Sequence, residues 1–306
     1  MRVSRRDVCR NGLLAALAVS TPAGVLQAQT ASRQLRTIPS SGEQIPAVGL
    51  GTWITFNVGQ VQDLLDSSTA VVKAFFEAGG RMIDSSPMYG SAQTTIGYAL
   101  SKLGKPDQLF SAEKVWTTSG SNGPAQIEET RRRWQVPQFD LLQIHNLVAW
   151  EAHLETLARM KADKQLRYVG LTTSHGLRHA QVEHILRNHA IDFVQLTYNV
   201  VDRNAERRLL PLARERGVAV IVNRPFRQGA LVRRVERHPL PAWVSETGAT
   251  TWAQFLLKFI ISHPAVTCAI PATTRVDHVR ENMAAAQGAP LSEPLRKRML
   301  AYVAQL

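Results

Sequence analysis

Short apolar runs alternate with longer amphipathic stretches along most of this chain. The apolar runs fall at 47–50, 81–85, 109–115, 139–145, 168–172, 193–198, 219–223 and 267–271. They are continuous rather than strictly alternating, the pattern of strands in a parallel sheet covered on both faces. Apolar residues at helical spacing fill the intervals at 61–78, 94–103, 125–135, 151–164, 178–188, 205–216 and 251–262, and a last helix is predicted from 276. Ahead of the first unit, "RTIPSSGEQIPAVGLG" predicts a hairpin around Ser40-Ser41-Gly42. Eight strands, each followed by a helix, predict an α/β chain folded as a (β/α)8 TIM barrel. The alternative is an open doubly wound sheet. No Gly-x-Gly-x-x-Gly follows the first strand, which counts against it. The segment 226–250 is long for a connection, and connections of that length are often functional lids.

The first 28 residues do not share this pattern. Arg2, Arg5, Arg6 and Arg10 precede an apolar stretch at 12–19, and Leu26-Gln27-Ala28 ends on a small residue. That order of charge, apolar run and cut site is that of a secretory signal. The apolar run is too short to span a bilayer, which takes about 20 residues. The Arg5-Arg6 pair in "SRRDV" fits a twin-arginine signal. The expected organisation is a signal peptide at 1–28 and a single barrel domain at 29–306. The twin-arginine export machinery is then a partner, and the mature chain is periplasmic with no stable membrane insertion. An uncleaved cytoplasmic protein is the alternative.

Charge and cysteine usage narrow the class further. Loss of residues 1–28 removes four Arg and one Asp and lowers the net charge from +12 to +9. The remaining basic residues are dispersed and not interleaved with aromatics, so nucleic acid is not expected as a partner. Anionic small molecules fit as well. Cys9 leaves with the signal and Cys268 stays alone in an apolar strand, so disulfides do not staple the fold. His145, His153, His175, His179 and His184 fall on different elements, without the spacing of a metal site. A metal-dependent hydrolase is therefore disfavoured, and no metal is expected.

The candidate chemistry lies at strand ends. Side chains at the C-terminal ends of barrel strands converge on one mouth. The second strand, in "RMIDSSPMYG", ends at Asp84, with Tyr89 in the following loop. The third, "LFSAEKVW", carries Lys114 near its end, and the fourth, "FDLLQIHN", ends at His145. A free Tyr has a pKa of about 10. A nearby ammonium is expected to bring that pKa toward the working range, with Asp84 holding Lys114 charged. A phenol so placed suits protonation of a carbonyl oxygen as hydride reaches its carbon.

These stretches also carry a family resemblance. "GRMIDSSPMYGSAQTTIGYAL" resembles the aldo/keto reductase signature of Gly, Asp, Tyr-Gly and a later Ile-Gly. "AEKV", "FDLLQIHN", "YVGLTT", "FVQLTYN" and "IPATTRVDHVREN" follow in that family's order, so the resemblance covers the chain from about Ile38 onward. It implies a barrel oxidoreductase that uses NADP(H) and reduces a small-molecule carbonyl. Asp84, Tyr89, Lys114 and His145 would be its catalytic tetrad, with Tyr89 as proton donor. It places Thr172, Thr173 and Gln195 at the nicotinamide amide, and Asn223 and Arg224 in the "NRPF" segment of the cofactor site. Thr273, Thr274 and Arg275 would lie near the 2′-phosphate, and Glu281 and Asn282 near the adenine. Hydroxyls and an Arg just before a helix suit an anion on physical grounds too.

Three positions depart from the family pattern. Asn223 stands where a Tyr usually stacks on nicotinamide, Thr173 replaces an Asn, and Gln93 replaces a common Glu. The altered nicotinamide face keeps open a second reading, a non-catalytic nucleotide-binding sensor or scaffold. The complete tetrad argues against it, because a pure binder has no need of Tyr89.

Overall fold

The computed structural model describes residues 33–306; the expected signal peptide at 1–28 lies outside the described residues. The chain opens with the expected hairpin, β1 (Leu35–Thr37) antiparallel to β2 (Gln44–Pro46). Gly42 closes its turn with φ at 78°, a left-handed value that only glycine takes without steric cost, and its N–H donates to Ile38 O at 2.9 Å.

Eight parallel strands follow, paired in strict chain order: β3 (Leu50–Gly51), β4 (Met82–Asp84), β5 (Phe110–Val115), β6 (Phe139–Ile144), β7 (Leu166–Thr172), β8 (Phe193–Thr197), β9 (Ala219–Asn223) and β10 (Cys268–Ala269). The helices between and after them are α1 (Gln62–Glu77), α2 (Ala92–Lys102), α3 (Gly123–Trp134), α4 (Trp150–Ala162), α5 (His179–Asn188), α6 (Leu209–Glu215), α7 (Ala230–Val235), α8 (Trp252–Ile261), α9 (Val276–Ala284) and α10 (Glu293–Val303). This is the α/β arrangement that the apolar pattern predicts. Backbone bonds also link the two ends of the sheet. Gly49 N–H donates to Ala269 O at 2.8 Å, Ala269 N–H to Ala47 O at 2.9 Å, and Gly51 N–H to Pro271 O at 3.0 Å.

Boundaries differ from the pattern where proline or glycine intervenes. The helix expected at 205–216 begins as a 3-10 turn, Asn204–Arg207, and becomes α-helical only at Leu209. Pro211 has no N–H and its ring crowds the carbonyl four residues back, so a continuous helix cannot form. The last helix divides into α9 and α10 around Gly288 and Pro290. The stretch 226–250 is no bare loop: it contains α7 and a 3-10 turn, Val244–Thr247. Trp243 in it packs edge-on against Tyr302 of α10 at 6.0 Å and takes the Arg298 guanidinium at 4.2 Å over its ring.

Side-chain alternation on the strands sorts the interior into two layers. The inner apolar cluster takes Met82, Phe110, Ala112, Leu141, Tyr168, Phe193, Ala219 and Ile221, with Ile38 and Ile45 of the hairpin region packed against them. Those on the parallel strands lie two, or a multiple of two, positions before Asp84, Lys114, Gln143, Thr172, Gln195 and Asn223. Successive strand residues face opposite sides, so each of those polar groups lies on the same inner face, nearer the strand's C-terminal end. Outward-facing strand residues such as Ile83, Val115, Leu142, Val194 and Val220 pack under the helices in the larger cluster.

Candidate active site

Asp84 is the hub of the site. It is 2 % exposed at the end of β4. Its Oδ1 accepts from Lys114 Nζ at 2.5 Å, and its Oδ2 accepts from Gln143 Nε2 at 2.9 Å and Gln195 Nε2 at 2.8 Å. Lys114 Nζ also donates to Ser85 O at 2.6 Å. Burial works against the Lys114 ammonium. The charges of Asp84, Tyr89 and Glu113 outweigh it and hold the Lys114 pKa above its ordinary value.

Tyr89 meets this pair from the loop after β4. The Lys114 ammonium stands 5.2 Å from the centre of its ring, and the His145 ring lies edge-on to it at 5.8 Å. Gly90 makes the turn behind it with φ at 62°, and a Cβ there would come within 2.3 Å of Asn57 Oδ1. Lys114 lowers the Tyr89 pKa, as its charge predicts. Burial is the larger influence, though, and Asp84 and Glu113 add to it, so the phenol is pushed up to about 12. Tyr89 is therefore a protonated group at neutral pH, an acid in waiting rather than a base.

His145 is neutral for the same reason. Burial, and then the nearby Lys114 charge, bring its pKa down to about 3. Its Nδ1 lies 2.6 Å from Ser86 Oγ, which leaves Nε2 for the cavity. Sequence reasoning passed over Ser86 and Gln143. The position of Gln143 two residues before His145 on one strand is the signal that could have found it. For Ser86 no such signal exists, because its contact spans 59 residues of chain.

A cavity of about 470 Å³ opens above these residues, and Asp84, Tyr89 and His145 are in its wall. Thr172, Thr173, Gln195, Asn223 and Arg224 line it as well, so five of the predicted cofactor residues meet the four candidate catalytic ones in one space or directly beneath it. Their side chains are interlocked. Asn223 Nδ2 donates to Thr173 O at 2.9 Å and to Gln195 Oε1 at 3.3 Å, and its Oδ1 accepts from Thr197 Oγ1 at 2.7 Å. Thr172 Oγ1 accepts from Asn146 N–H at 3.1 Å, and Thr173 Oγ1 donates to Leu177 O. Asn223 therefore ties β7, β8 and β9 together where a tyrosine would present a flat ring. Beside it Arg224, Arg227 and Gln228 hold positive φ, a cost of about 1–3 kcal/mol for each such residue.

Thr273, Thr274, Arg275, Glu281 and Asn282 are not in that wall. They occupy the loop after β10 and helix α9. Thr273 Oγ1 accepts from Arg275 N–H at 3.1 Å, and Arg275 caps α9 while its guanidinium grips Asp277, with Nε to Oδ1 at 3.0 Å. Asn282 is buried and Glu281 half-buried.

Gln93 has a structural explanation. Its Nε2 donates to Glu113 Oε2 and to Thr130 Oγ1, each at 3.1 Å. Glu113 is fully buried, so a second carboxylate at position 93 would face it without a donor between them. Four residues on, Gly97 allows α2 to meet α3: a Cβ there would fall 1.9 Å from Arg133 O. The Ile-Gly of the signature is thus a close helix–helix approach.

Known proteins resemble this chain in sequence and in fold. Methylglyoxal reductase YeaE of Escherichia coli (strain K12) is 26% identical over 260 residues, covering 82% of this chain and 89% of that protein. The NADH-specific methylglyoxal reductase of the same organism is 26% identical over 243 residues, covering 70% and 73%. An aldo/keto reductase from Klebsiella pneumoniae, solved in complex with NADP and acetate, superposes with a TM-score of 0.73 at 25% identity, covering 88% of this chain and 94% of its own. Residues 47–299, which hold every strand of the parallel sheet and all the residues around Asp84, match the pattern of the aldo/keto reductase family, and the chain belongs to that family.

Proposed function

We propose that this protein is an NADPH-dependent oxidoreductase that reduces an aldehyde or ketone to an alcohol, with Tyr89 as proton donor. The observation that carries this reading is a half-buried phenol, protonated at neutral pH, on the wall of a cavity beside an ammonium and a neutral imidazole. Bound NADPH supplies the hydride. The chain's own residues do the rest. His145 Nε2 orients the carbonyl oxygen, and Ser86 fixes the ring by holding Nδ1. Tyr89 gives its proton to that oxygen as charge develops there, and Lys114, held by Asp84, steadies the phenolate left behind. The test is oxidation of NADPH with a test aldehyde: wild type turns over, and a pure nucleotide-binding protein does not.

The residues present suit that cofactor. Gln195 and Asn223 offer amides and Thr172 and Thr173 hydroxyls for a carboxamide, and Arg224 faces the cavity with no ion-pair partner among the described residues. Thr273, Thr274 and Arg275 would take the 2′-phosphate. The Arg275–Asp277 pair is exposed, so it contributes little and yields readily to a dianion. NADPH is expected to bind tighter than NADH, and Arg275→Ala to narrow the gap by weakening NADPH alone. Titration of the wild type with both nucleotides checks this; equal affinities would remove Arg275 from the assignment.

The bonds between the Ala47–Gly51 segment and β10 support a sheet closed into a complete barrel as the single domain of the mature chain. The sequence at 1–28 supports export by the twin-arginine route, which carries folded proteins and would let cofactor be loaded before transport. Replacing Arg5 and Arg6 together by Lys keeps the charge and removes the guanidinium pair. Fractionation of producing cells is expected to show wild type in the periplasm and the Lys-Lys precursor in the cytoplasm. Equal export of both would discard the twin-arginine reading.

A further inference from the structure

The reductase reading leaves one buried charged group without a task. Glu113 is 0 % exposed on β5, immediately before Lys114, and its side chain points away from the cavity into the helix layer. Three groups reach its carboxylate. The Lys114 N–H donates to Oε1 at 2.8 Å, and Trp134 Nε1 and Gln93 Nε2 donate to Oε2 at 2.7 and 3.1 Å. All three are donors. A protonated Glu113 would turn a donor of its own toward them, so the hydrogen bonding selects the carboxylate.

We infer that Glu113 is a positioning residue for the proposed reduction: its carboxylate supplies a second negative charge behind Lys114, opposes charge on the Tyr89 oxygen, and so holds Tyr89 in its protonated form, offsetting part of the pull of Lys114 toward ionisation. With Glu113 ionised, the site around Lys114 holds two carboxylates against one ammonium. An ionised Tyr89 would add a third negative charge beside two buried ones, where protein surroundings screen such charges less than bulk water does. The charged groups around Glu113 are few. Lys114 is on its own strand, and Asp84 on β4 lies across Lys114. From α3, Arg133 reaches Gln93 Oε1 at 3.4 Å and is itself paired with Glu129 at 2.9 Å. From α2 comes only the neutral Gln93.

Burial pushes Glu113 up to about 7, against the pull of Lys114 and the three donors. At alkaline pH it is ionised, so a Glu113→Gln variant removes a full charge there. The inference rests on Tyr89 having the role proposed above, and its test needs no turnover. The near-ultraviolet signal of tyrosinate is titrated in the protein free of added nucleotide, and the same titration in a Tyr89→Phe background is subtracted to isolate Tyr89. Glu113→Gln is expected to move that titration to lower pH by about one unit, the scale of one nearby like charge. If Glu113→Gln fails to fold, the double variant Glu113→Met with Gln93→Met removes the charge and one of its donors together, and the same shift is expected. A folded variant whose Tyr89 titrates as in wild type overturns the inference. Should the shift occur in a protein that reduces no carbonyl, the tuning by Glu113 stands and the reductase reading falls.

Discussion

Tyr89→Phe is expected to fold normally, to bind nucleotide, and to lose at least about a hundredfold in turnover, the scale of one positioned general acid. No other group near it has a proton to give. His145 is neutral at working pH, with its pKa near 3, so it is not an imidazolium acid. The Lys114 ammonium is committed to Asp84 Oδ1 at 2.5 Å and Ser85 O at 2.6 Å. Tyr89 alone combines a retained proton with a place in the cavity wall. The substitution removes one oxygen and leaves the ring between Lys114 and His145, so its cost falls on the chemistry and not on packing. Steady-state rates with a test aldehyde, alongside nucleotide titration, check both halves. Near-normal turnover would take Tyr89 out of the mechanism.

A second large effect is expected at Asp84, on stability. Lys114, Gln143 and Gln195 all direct donors at its two oxygens from inside the sheet. Asp84→Ala leaves an ammonium that is wholly buried and uncompensated, and breaking a buried pair from one side costs about 3–5 kcal/mol. The double variant Asp84→Leu with Lys114→Met removes both charges and is expected to recover much of that loss, although Gln143 and Gln195 each then lack their acceptor. Urea unfolding of the two variants beside wild type measures the difference. A single Asp84→Ala variant within about 1 kcal/mol of wild type would show that the pair is not buried as described.

The residues around Asp84 show how far the chain could be read in advance. Asp84, Lys114 and His145 were legible because each lies at or near the end of an apolar run, and strand ends on one face of such a sheet meet at one mouth. The departure at Gln93 was legible as a fact but not as a reason. Its reason is Glu113, whose burial depends on Trp134 arriving from α3. Ser86 was missed because its partner lies 59 residues away and no local spacing encodes such a contact, whereas Gln143 was missed although its place two residues before His145 marks it as facing the same side. Arg275 was rightly placed at the start of a helix, yet its grip on Asp277 follows from a side-chain geometry that spacing does not specify.

The sequence by itself determined the order of strands and helices and the strand ends at which Asp84, Lys114 and His145 stand. Both follow from pattern: two residues per repeat along a strand, three to four along a helix, and polar residues toward one end of an apolar run. Only the tertiary structure decided the protonation of the site. The charge of Lys114 predicts a phenol drawn toward ionisation, and that pull is present, but burial of Tyr89 together with two nearby carboxylates overrides it. Desolvation depends on what surrounds a group in space, from every element at once, and a linear pattern does not carry that quantity.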